Sequence, residues 1–164
     1  MSLETWKAEF YPTPAEVISD PVEAIEHSIL KWTGLLDDNL RKHAVRKTWQ
    51  AVQLEDVSNY GKFFRVSSST CALCSLFLNS GFSDDDNDEH DDDNDEHDDD
   101  CPACPLVKAG YLSCLRCSSD ASENAFEHWA LTGDAEPMLE ALETALARWK
   151  EQAQVKETAD ADNA

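Results

Sequence analysis

Apolar residues first settle into a clear rhythm at Val22, Ile25, Ile29 and Trp32, with Leu30 beside them. Spacings of three and four put these side chains on one stripe and predict a helix over about residues 21–32. Asp20-Pro21-Val22-Glu23 is a matching start, with a capping carboxylate, proline at the first helical position and an acid in the first turn. Thr13-Pro14-Ala15-Glu16 carries the same chemistry earlier and predicts a short first turn. Gly34 marks the expected stop, and residues 35–43 read as another short helix that turns Leu36 and Leu40 inward.

The period then changes. Trp49, Ala51, Val52 and Leu54 precede a turn-like Ser58-Asn59-Tyr60-Gly61, and Lys62-Phe63-Phe64-Arg65-Val66 follows. Aromatic and β-branched residues around an Asn/Gly turn predict a β-hairpin. Helical spacing returns over residues 122–131, with Phe126 and Trp129 or Ala130 facing in. Thr132-Gly133-Asp134 breaks it, and Asp134 is placed to cap a last helix to about Trp149, with Met138, Leu142, Leu146 and Trp149 as its stripe. Residues 151–164 show no apolar period and are expected to be disordered. The expectation is a single α+β domain over 1–150, predominantly helical, with a short hairpin.

Six cysteines change that picture, because all fall in one window as Cys71/Cys74, Cys101/Cys104 and Cys114/Cys117. A Cys-x-x-Cys turn offers two thiolates to one side of a loop, and two such turns complete a tetrahedral zinc site. The first expected set is Cys71, Cys74, Cys101 and Cys104. Cys114 and Cys117 are able to replace one pair, or to help hold a second zinc with a histidine. The competing reading is thiol–disulfide exchange, for which Cys101-Pro102-Ala103-Cys104 has a familiar proline. It requires a thioredoxin-like βαβ pattern, and the sequence supplies none. Pro105 is expected to leave the ligand loop extended, with Leu106 and Val107 packing the site on the core.

The formal net charge is −21, and 13 of the carboxylates lie in a tandem repeat, residues 84–100, in which Asp-Asp-Asp-Asn-Asp-Glu-His occurs twice before three more aspartates. Outside it the chain is still acidic, so nonspecific attraction to phosphate is disfavoured. The repeat is expected to be a solvated, self-repelling, disordered loop inserted between the first two cysteine pairs. It lacks the glycine and the terminal glutamate of a calcium loop. His90 and His97, seven apart, offer only weak transition-metal binding. His27, His43 and His128 read as surface or core-edge residues, and no phosphate loop, nucleophile elbow or His-Glu-x-x-His occurs. Neither a signal pattern nor a membrane-length apolar run is present in the sequence, so the expected location is cytoplasmic.

Four stretches together carry a resemblance: Glu23-Ala-Ile-Glu-His-Ser-Ile-Leu-Lys-Trp-Thr-Gly34, Ser69-Thr-Cys-Ala-Leu-Cys74, Cys101-Pro-Ala-Cys-Pro-Leu106, and Gly110 to Cys114. In them the chain resembles a group of small phage and prophage proteins with a Lys-Trp helix motif, two cysteine pairs and a later cysteine after glycine. The resemblance covers about two-thirds of the chain outside the acidic tract. The tract and Cys117 depart from the pattern. It implies a phage origin, hence the host-cell cytoplasm, and adds little about activity. With small size, acidity and no catalytic set, the expected function is a non-catalytic zinc-binding accessory protein. It would bind and inhibit a host protein such as a defence nuclease, a restriction system or the transcription machinery. An acidic surface standing in for DNA is one route. The alternative is a zinc-ribbon-like nucleic-acid-binding module, using Lys31, Arg41, Lys42, Arg46, Lys47, Lys62 and Arg65 if they share a face.

Overall fold

The computed structural model describes residues 1–48, 52–79, 104–109 and 125–161. It is predominantly helical, with seven α-helices among the described residues and one three-stranded antiparallel sheet. The α+β expectation holds at that level.

α1 (Leu3–Phe10) opens the fold and was not expected. The Ser2 side chain accepts from the Thr5 N–H, and the Thr5 hydroxyl answers the Ser2 backbone, a reciprocal cap. Leu3, Trp6 and Phe10 give it a buried side. A 3₁₀ turn, Ala15–Val17, occupies the place of the expected first turn. α2 (Pro21–Gly34) follows, capped by Asp20 Oδ1 on the Glu23 N–H at 2.9 Å. It is the central element and packs against α1, α4 and α7. α3 (Asp37–Lys42) buries Leu40, as expected.

The expected hairpin is a three-stranded meander, because Val45–Thr48 adds a strand ahead of it. β1 (Val45–Thr48), β2 (Gln53–Asp56) and β3 (Phe63–Arg65) pair in sequence order, with Arg46 opposite Glu55 and Glu55 opposite Phe63. Asp56 organises the β2–β3 turn: its Oδ1 accepts from the Ser58 and Asn59 N–H groups and the Ser58 hydroxyl. Gly61, at φ +95°, completes the turn in the left-handed region.

α4 (Ala72–Asn79) starts directly after Cys71 and contains Cys74, and α5 (Pro105–Lys108) starts directly after Cys104. Pro105 does not leave its loop extended: it opens α5, where its missing N–H costs nothing. α6 (Ala125–Thr132) buries Trp129, and Asp134 caps α7 through the Glu136 N–H, as expected. α7 (Glu136–Ala161) runs past Trp149, and residues 151–155 are exposed. The apolar stripe ends there but the helix does not, since Glu, Gln, Ala and Lys have high helix propensity without packing. The core joins Trp6, Ile25, Leu54, Leu73, Trp129 and Leu142. Trp32 meets Trp129 edge-on at 5.2 Å. No described helix is long and apolar enough to cross a membrane.

Candidate functional site

Cys71 stands immediately before α4, its carbonyl accepting from the Ser75 N–H at 2.9 Å, and Cys74 lies in the first turn. The partial positive charge at a helix N-terminus favours the thiolate over the thiol. Both residues are buried, 9% and 6% exposed. They line a cavity of about 20 Å³ with Ser28, Lys31, Ser67 and Met138. That volume holds roughly one water or one ion. Cys104 is the buried N-cap residue of α5, and Leu106 two residues on lines the same cavity. Leu106 is buried in the core and Val107 is partly buried against it.

Cys101, Cys114 and Cys117 lie outside the described residues, as does the acidic tract. Among the described residues no three His, Cys, Asp or Glu side chains form a group able to hold a metal. Cys71, Cys74 and Cys104 therefore do not make a ligand set by themselves.

Lys31 is the unexpected member of this site. The sequence suggests a surface cation, yet Lys31 is 1% exposed on the buried side of α2. Its Nζ donates to the Thr70 carbonyl at 2.8 Å, next to Cys71. Burial pushes the pKa of the neighbouring His27 down, and the bond to Thr13 partly offsets this. The Lys31 charge lowers it further, while Cys71 acts the other way, so both groups sit in one electrostatic neighbourhood. His27 Nε2–H donates to the Thr13 carbonyl at 2.8 Å, which leaves Nδ1 buried without a hydrogen-bond partner among the described residues. Tyr11 packs edge-on to this ring at 5.0 Å. Burial is the main cause raising its phenol pKa.

Four of the other basic residues expected to share a face are paired with carboxylates. Arg41 pairs with Asp37 and Asp38, Lys42 with Glu9, Arg46 with Glu55, and Lys62 with Glu4. Lys47 points inward, donates to the Trp129 and Ala130 carbonyls at the end of α6, and covers the Trp129 ring. Burial lowers its pKa. Of the seven expected positions, only Arg65 on β3 remains exposed without an ionic partner among the described residues.

One hydrogen-bonded chain has the outline of a catalytic triad: Thr5 Oγ1 lies 2.9 Å from His43 Nδ1, and His43 Nε2 lies 3.0 Å from Glu9 Oε2. The Thr5 hydroxyl, however, is engaged with the N–H and carbonyl of Ser2 as part of the α1 cap. The arrangement ties α1 to the end of α3 through a buried imidazole, and Lys42 completes it on Glu9 at 2.6 Å. No sequence motif announces it, because the contact spans 34 to 38 positions. An open depression of about 660 Å³, lined by Asp37, Asp38, Asp134 and Glu136, is acidic and unsuited to phosphate.

No family model matches the chain, and no curated protein or solved structure matches it significantly.

Proposed function

We propose that this protein is a non-catalytic binding protein of the phage accessory type, held together by a thiolate-bound structural zinc, that docks on a host protein and inhibits it. The observation that carries the zinc half is the Cys71/Cys74 pair at the start of α4, facing a void fit for one ion beside an enclosed lysine. Cys71, Cys74, Cys101 and Cys104 are the first set, with Cys114 and Cys117 as the replacements or as part of a second site. Bound zinc would fix the loop ends on both sides of the acidic tract and contribute to folding free energy. The binding half rests on the acidic exterior: Arg41, Lys42, Arg46 and Lys62 are already matched by local carboxylates, so the surplus charge is negative. Such a surface suits a basic groove on a nucleic-acid-processing enzyme.

The redox alternative draws support from the position of Cys71 and Cys74 at a helix N-terminus. Their burial weighs against it, since exchange needs an accessible sulfur. One experiment separates the readings. Protein purified without chelator is assayed for metal and free thiols before and after chelation. The expected result is at least one zinc per chain and thiols that become reactive only when it is removed. Less than half an equivalent of metal, or cysteines recovered as disulfide from reducing cytosol, overturns the zinc reading. A mobility-shift assay with single- and double-stranded probes addresses the zinc-ribbon alternative. Tight binding by the protein alone, lost on neutralising Arg46 and Arg65, would favour that alternative.

A further inference from the structure

We draw no further inference here: the strongest candidate, the outer face of the three-stranded sheet where Tyr60 and Phe63 stand exposed beside Arg46 and Arg65, carries none, because Arg46 is already matched by Glu55 and nothing in the structure shows what covers that face.

Discussion

Gly34 shows how a single residue can carry a structural demand that its type alone does not disclose. It was expected as a helix stop, and it is the final residue of α2. Its stronger constraint is space. A Cβ at this position would lie 2.6 Å from both Cβ and Cγ of Phe10, and the Gly34 carbonyl accepts the Trp6 indole N–H at 2.7 Å. Alanine in a helix ordinarily gains up to about 1 kcal/mol over glycine. Here the colliding atoms are the root of a buried ring and cannot swing away, so overpacking of about 1–3 kcal/mol exceeds that gain. Gly34→Ala is therefore expected to lower stability in urea titration, and an unchanged or higher midpoint would show that α1 shifts freely. Lys31 and Lys47 teach the converse. Both read as surface cations in the sequence, and both are turned inward onto backbone carbonyls. Composition reports a charge, but only the fold reports what surrounds it.

The elements legible in the sequence are those whose burial follows one period over several turns. α2 and the first half of α7 are of that kind, and the stripe Met138, Leu142, Leu146 and Trp149 packs as expected. β1 escaped because its inward positions are Val45 and Lys47, so a charged residue breaks the alternation that marks a strand. α4 and α5 escaped because their starts are cysteine pairs, which read as ligand loops. α1 escaped because it is two turns long and borrows its order from distant partners. Leu3 N–H donates to Asp56 Oδ2 at 3.0 Å, a carboxylate at the helix's N-terminal end supplied from β2. That bond, together with the Ser58 hydroxyl as the largest cause, holds the Asp56 carboxyl below its ordinary value of 3.8. A lowered folded-state value means the group stabilises the fold fully above its unfolded pKa. The contribution disappears as pH falls through the lower, folded value. The chain is so acidic that protonation elsewhere relieves repulsion over the same range, which makes the parent's own acid profile ambiguous. The difference between parent and Asp56→Asn isolates the clasp: it should be largest near neutral pH and shrink below about pH 4. A difference that stays constant through that range would mean that Asp56 acts by shape and hydrogen bonding, without its charge.

At the scale of the whole molecule the question is what the acidic tract adds. Among the described residues α2 meets α1, α4 and α7, and β1, β2 and β3 pair with one another. Deleting residues 84–100 removes 13 carboxylates and no apolar side chain. It shortens the connection between Cys74 and Cys101 from 26 residues to nine. Closing the shorter loop is easier by about 1 kcal/mol, because closure entropy grows only with the logarithm of length. Relief of like-charge repulsion acts in the same direction. The truncated protein is thus expected to match the parent's metal content and to melt at or slightly above the parent temperature. A fall in metal content or a large fall in melting temperature would show that the tract ligates or packs. Function should separate from stability in the same variant. If the tract presents carboxylates to a basic host surface, partner binding by the parent weakens as salt rises, since exposed charges are screened within about 8–10 Å near physiological ionic strength. The deletion variant would bind less tightly and lose most of that salt dependence. Undiminished, equally salt-sensitive binding would instead place the contact on the folded surface and leave the tract as a solubility device.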